Sequence, residues 1–307
     1  MKAIGKKSID FTNGVLNYIL LTVIVIVIAF AGYALWDSSQ IYQAANKSQY
    51  ALYKPTIENQ GKSFRELQAL NAEVFSWLSV YGTNIDYPVV QGPDNMKYVN
   101  TNAEGLYSLS GAIFLDYANN KDFSDFNSIL YGHHMAKRVM FGEIGDFSSK
   151  DVFEANRYGN LYFDGKDHGI EFFAFLHADA YDSSVFSANI KEEKRQEYLD
   201  NLLDKAIYTR DIGVGIDDHI VLLSTCSSDS TNGRDILVGR IAKTTFEPHE
   251  PAAEIVALSY SQIPQGEDCE VAEIPLRLIV ALLLSVPLAV KIIDLALNKR
   301  RQKNKEQ

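Results

Sequence analysis

The sequence predicts a mainly β external domain, a barrel or sandwich with helical additions, held behind an apolar anchor. Three observations carry this. Short β-rich runs follow one another from Trp77 to Ile241, one clear helix interrupts them, and a charge-free apolar stretch precedes the whole. Of 307 residues, 47% are hydrophobic and 22% charged, a globular composition that excludes a disordered or low-complexity chain.

The apolar stretch runs from Gly14 to Trp36, with no charge between Asp10 and Asp37. Its length suits a helix crossing a hydrocarbon layer of roughly 30 Å. A cleaved signal peptide has a similar positive lead, here Lys2, Lys6 and Lys7, but an apolar core of only about 7–15 residues, so a retained anchor is favoured. Lysines before the span and acids after it put the N-terminus in the cytoplasm.

Beyond the anchor, Tyr42 to Leu70 has helix-compatible spacing, with Glu58-Asn59-Gln60-Gly61 as a break. Strands are expected at Ile85 to Val90, Gly111 to Leu115, Ser128 to Tyr131, Asn160 to Phe163, Ile170 to Leu176, His219 to Thr225 and Ile236 to Ile241. Asp164-Gly165-Lys166-Asp167 reads as a hairpin loop. The helix is expected from Lys191 to Ala206, capped by Asn189, with Tyr198, Leu199, Leu202 and Leu203 on one face.

Near the other end, Leu278 to Val290 forms a 13-residue apolar core between Arg277 and Lys291, followed by the basic residues Lys299, Arg300, Arg301, Lys303 and Lys305. It reads as a second span or, given Pro287 and Asp294, an amphipathic surface helix. The expected organisation is a cytoplasmic N-terminus (1–13), a transmembrane anchor (14–36), a helical region (37–75), a catalytic β domain (76–248), a juxtamembrane linker (249–273), a second hydrophobic helix (274–297) and a basic cytoplasmic tail (298–307). Between Asp37 and Glu273 stand 19 Lys and Arg against 36 Asp and Glu, a formal charge of −17, which excludes nucleic acid as a partner.

The two cysteines, Cys226 and Cys269, could form one disulfide in an oxidising compartment. Their contexts differ. Cys226 ends the apolar run Val221-Leu222-Leu223-Ser224-Thr225, whereas Cys269 lies in a polar stretch before the second apolar segment. A catalytic thiol needs a partner for proton transfer and a cationic or donor-rich setting for the oxyanion. Arg234 opens the next strand-like run after the polar loop Ser227 to Gly233, so strand, loop and strand bring Cys226 and Arg234 side by side. His133 and His134 follow the strand ending at Tyr131, and adjacent residues on an extended segment point to opposite faces, so one of the two serves a given site. Singly, each has an ordinary reading: a buried cysteine, an Arg234 paired with Asp229 or Asp235, a His133 capping a turn. His168, His177, His219 and His249 lack metal-ligand spacing.

Taken together, these residues resemble a known pattern. Leu223-Ser224-Thr225-Cys226, Arg234 eight positions on and the upstream Tyr131-Gly132-His133 are similar to the cysteine, arginine and histidine motifs of the sortases. Trp77, Asp86-Tyr87-Pro88-Val89-Val90-Gln91, Tyr131-Gly132-His133-His134-Met135 and the helix before the cysteine strand resemble class B members, over roughly residues 45 to 245. His134 stands where that class commonly has Asn, and a C-terminal anchor is more usual in pilus-building sortases.

The resemblance implies a closed β-barrel with N-terminal helices and an extra helix before the cysteine strand. It implies Cys226 as nucleophile, His133 as catalytic histidine, Arg234 as oxyanion or substrate arginine, and Ser224 and Thr225 as substrate-binding neighbours. The implied reaction is cleavage after Thr of a Leu-Pro-x-Thr-Gly or Asn-Pro-x-Thr sorting signal through a Cys thioester. Transfer then goes to an amine from a cell-wall precursor or a pilin lysine, with no metal or organic cofactor. Implied partners are surface proteins or pilins and the membrane, with the catalytic domain outside the cell. A peptidase that releases its product to water, and an inactive membrane-tethered scaffold, are the competing readings.

Overall fold

The computed structural model describes residues 2–56, 62–226 and 232–248. The expected linker, second hydrophobic helix and basic tail, together with Cys269, His249, residues 227–231 and the expected helix break, lie outside these residues. The described residues fall into two compact units, one up to Gln40 and one from Ile41 on. In the first, helix α1 (Lys2–Ala45) begins, and its residues Asn13–Ala45 are long and apolar enough to cross a membrane.

The second unit opens with the end of α1 and two short 3-10 turns, Lys47–Gln49 and Ala51–Tyr53, where a longer helix is expected from sequence; α2 (Lys62–Leu70) follows. Strand β1 (Val74–Val80) begins inside the stretch read as helical and pairs antiparallel with β2 (Asp86–Val90). Asp86 fastens this hairpin to the segment after α1. Its Oδ1 accepts Trp77 Nε1 and Ser79 Oγ, each at 2.7 Å, and its Oδ2 accepts Lys54 Nζ at 2.8 Å. The Trp77 and Asp86 motif is therefore structural in origin.

Next come β3 (Ile113–Leu115), β4 (Asn127–Tyr131), the two-residue strands β5 (His134–Met135) and β6 (Val139–Met140), and α3 (Lys150–Ala155). β7 (Tyr158–Phe163) and β8 (Lys166–Asp179) form a hairpin with a two-residue turn at Asp164 and Gly165, both at positive φ, 49° and 72°. The turn is thus shorter than the four-residue loop expected. A 3-10 turn, Glu192–Lys194, precedes α4 (Arg195–Lys205), so the helix starts four residues later than expected and Asn189 is not its cap. β9 (Ala206–Thr209), β10 (His219–Cys226) and β11 (Gly233–Ala242) complete the unit.

Eight strands run in the order β11-β10-β4-β3-β2-β1-β7-β8, and pairing of β11 with β8 closes the barrel; β9 adds to β8 outside the ring. Alternation along β10 and β11 explains why both read as nearly unbroken apolar runs. Val221, Leu223 and Leu237 join the larger core with Leu78, Leu130 and Phe175, whereas Ile220, Leu222, Ile236 and Val238 pack with Tyr198, Leu199 and Leu202 of α4. Both faces are therefore dry. Tyr198 pins α4 to the start of β4, its hydroxyl accepting from Asn127 Nδ2 at 2.8 Å and donating to the Val185 carbonyl at 2.6 Å.

Candidate active site

Three strand ends meet at one rim of the barrel. β10 and β11 are antiparallel with Cys226 directly opposite Arg234, the last pair of the ladder. β4 runs parallel to β10 with Tyr131 level with Ser224, and Gly132 N–H donates to the Ser224 carbonyl at 3.2 Å. His133 therefore leaves β4 beside the end of the cysteine strand. The backbone brings together the three residues singled out from the sequence, which are separated by up to 101 positions along the chain.

His133 begins a small hairpin. Phe141 N–H donates to its carbonyl at 3.0 Å, and His134 and Met135 pair with Met140 and Val139. Its ring is half-buried, and Nε2 lies 2.8 Å from the Val99 carbonyl. A carbonyl only accepts, so Nε2 carries the proton and Nδ1 is the atom left for proton exchange. His134 is exposed and its charge acts on Asp146 instead.

Arg234 is half-buried, with Nη1 donating to the Gly233 carbonyl at 3.0 Å. Asp235, a candidate partner for it by sequence, has its carboxylate 2.6 Å from His177 Nδ1. Tyr131 donates its hydroxyl to Asp116 Oδ2 at 3.1 Å, and Asn95 Nδ2 donates to the same oxygen at 2.8 Å. Burial, then the Asp116 charge, pushes the Tyr131 phenol above its ordinary range while the Arg234 charge opposes the rise. Tyr131 is thus a neutral donor with a cation nearby.

Ser224 and Thr225 are 1% and 2% exposed, and their hydroxyls have no partner among the described residues. The sequence expectation places both beside the substrate, next to Cys226 at the end of β10. Residues the sequence reading missed are Val99, which acts through its backbone and leaves no mark in sequence, and Asp116, a buried acid directly after the apolar run Ile113–Leu115. Among the described residues no group of three His, Cys, Asp or Glu is placed to hold a metal ion.

A closed eight-stranded barrel with Cys, His and Arg on three adjoining strand ends defines a class, and comparison with known proteins agrees. No family model matches the chain. It is 31% identical over 180 residues to sortase B of Listeria monocytogenes, spanning 58% of this chain and 73% of that protein. Among solved structures, a sortase B from the Type II pilus of Streptococcus pneumoniae matches with 47% identity and TM-score 0.52, over 58% of this chain and 98% of that one. A Streptococcus pyogenes class B sortase involved in pilus biogenesis matches with 40% identity and TM-score 0.55, over 59% and 99%.

The chain belongs to the sortase B family. At the level of that family it is a sortase transpeptidase of the cysteine type.

Proposed function

We propose that this protein is a membrane-anchored class B sortase that uses Cys226, His133 and Arg234 to transfer sorting-signal proteins to an amine. The observation that supports this most is the meeting of Cys226, Arg234 and the His133 segment at one barrel rim. In this reading His133 Nδ1 takes the proton of the Cys226 thiol, and the resulting thiolate attacks the carbonyl carbon of Thr in the sorting signal. Arg234, permanently charged and rich in donors, stabilises the tetrahedral oxyanion. His133 gives a proton from Nδ1 to the leaving amine, a thioester forms on Cys226, and His133 then takes a proton from the incoming amine. The thioester is resolved and the thiolate regenerated. No metal or organic cofactor enters these steps.

α1 supplies the anchor, with the lysines at positions 2, 6 and 7 on the cytoplasmic side and the barrel outside the cell. The similarity to two pilus-associated class B sortases favours a pilin lysine over a cell-wall amine as acceptor. Incubating the full-length protein in detergent with Leu-Pro-x-Thr-Gly and Asn-Pro-x-Thr peptides, with and without a lysine-bearing pilin peptide or an oligoglycine, tests all of this. The expected result is an acyl adduct on Cys226 by mass spectrometry and faster turnover with the pilin amine. Cleavage without amine incorporation makes the protein a peptidase; neither adduct nor cleavage makes it a scaffold.

A further inference from the structure

The hairpin that follows His133 is built in a conformation that needs bracing from outside. Lys137, Arg138 and Met140 all take positive φ, between 54° and 58°, a region that non-glycine residues hold only where surrounding structure fixes them. The brace comes from the end of the anchor helix. Tyr87 of β2, 1% exposed, donates its hydroxyl to the Ala45 carbonyl at 3.0 Å and accepts the Met140 N–H at 3.0 Å. Ala45 is the last residue of α1, so its carbonyl is one of the acceptors that a helix leaves unsatisfied at its C-terminal end. Met140 is the ladder partner of His134, and the next residue, Phe141, holds the His133 carbonyl.

A second tie is independent of the first. Lys137 Nζ sits 5.0 Å above the ring of Tyr42, on the last turn of the same helix. Burial pushes the Tyr87 phenol up to about 12, which keeps it a neutral donor at working pH.

From this geometry we infer that Tyr87 is a positioning residue for His133, coupling the membrane-proximal end of α1 to the histidine hairpin. The anchor helix then does more than tether the enzyme: its last turn sets the ring that exchanges protons. This rests on the assignment of His133 given above.

The test uses the full-length protein in detergent, labelled with nitrogen-15 at histidine, and whichever of the two sorting peptides it cleaves faster. Tyr87→Phe removes the hydroxyl and keeps the ring. The expected result is a fall in kcat of about tenfold with KM within about twofold, since the ring is misplaced and binding is not. The His133 nitrogen signals should move from the form protonated at Nε2 alone towards a mixture of tautomers. Lys137→Ala, at an exposed position, should lower kcat by a smaller factor and shift the same signals. Unchanged kcat and unchanged His133 signals in a folded Tyr87→Phe protein overturn the inference. If Tyr87→Phe does not fold, wild-type kcat and signals in Lys137→Ala overturn it. Full activity in His133→Ala would instead overturn the assignment of His133 and is read separately, because the tautomer shift needs no substrate.

Discussion

Gly132 hands its backbone N–H to the carbonyl of Ser224 at 3.2 Å, which carries the parallel pairing of β4 and β10 one residue beyond Tyr131. The next residue is His133, and two residues past Ser224 is Cys226. Cys226 and His133, the proposed nucleophile and base, are thus brought together by backbone register rather than by sequence proximity. Replacing Cys226 by Ala should abolish peptide cleavage and the acyl adduct seen by mass spectrometry. His133→Ala should lower kcat by about 10²–10⁴, the usual worth of a positioned acid–base group. His134→Asn should largely spare turnover, because His134 is exposed and faces Asp146. Strong loss in His134→Asn would reverse the choice between the two histidines.

The arginine can be tested against its nearest cation. Arg234→Ala should lower kcat by about 10²–10³, the typical loss when one oxyanion donor is removed. Arg234→Lys keeps the charge but loses the planar fork of donors, so it should recover only part of that activity. Equal activity of the lysine variant and wild type would show that charge alone suffices.

How much of this was legible in the sequence follows from what each signal depends on. β10 and β11 are legible because both faces are buried and Ile220 to Leu223 and Ile236 to Val238 are all β-branched or leucine. β1 was partly missed because Ser76 and Ser79 interrupt its apolar pattern, although both are buried. β9 is not read from the sequence: the helical spacing takes in its first residue, Ala206, and the extended backbone that follows is set by pairing with β8. The same holds for the site. Cys226, His133 and Arg234 carry side-chain chemistry that a sequence displays, which is why they stand out as candidates. The partners of His133 and its hairpin, the Val99 carbonyl and the Met140 and Phe141 amides, are backbone groups that any residue would supply.

The wall of the barrel holds a charged bridge whose removal should be costly. Glu171, with 9% of its side chain exposed, accepts Arg157 Nε and Nη2 on Oε1 at 3.0 and 2.7 Å and Arg240 Nη2 on Oε2 at 2.8 Å. It ties β8 to the residue preceding β7 and to β11. Glu171→Ala would leave two guanidinium groups facing each other without their carboxylate. A loss of about 2–3 kcal/mol is expected, below the usual figure for fully buried pairs because Arg157 is 43% exposed. Urea unfolding should show a lower midpoint with unchanged slope. A loss under about 0.5 kcal/mol, the level of an ordinary surface change, would mean the bridge is solvated.

Gly142, which ends the histidine hairpin, has no room for a side chain. A Cβ built there would lie 2.1 Å from the Met135 carbonyl oxygen, a backbone atom that cannot step aside. Gly142→Ala should therefore displace the β5–β6 pair and lower both stability and kcat. Gly165, at the β7–β8 turn, is open on all sides, and its alanine variant should be strained by its positive φ of 72° without touching kcat. Comparable kcat loss in the two variants would separate the hairpin from catalysis.

Glu143 makes stability depend on pH in an unusual direction. Its side chain is 3% exposed beneath the same hairpin, facing Arg138, Asp146 and the Asn84 N–H. Burial is the largest influence and pushes its carboxyl up from 4.5 to about 7, although the Asn84 amide and Arg138 pull the other way. Burial raises Asp146 as well. A carboxyl whose pKa is higher folded than unfolded holds more protons in the folded state, so its contribution to stability falls as pH rises between about 4.5 and 7. Glu143→Gln removes that titration while Oε1 can still accept the Asn84 N–H. The wild type should therefore lose up to about 3 kcal/mol from pH 5 to pH 8 relative to Glu143→Gln, the two being similar at pH 5. Thermal unfolding of both proteins across that range checks it. Parallel curves would show that Glu143 keeps its charge in the fold, with Arg138 outweighing the loss of solvent.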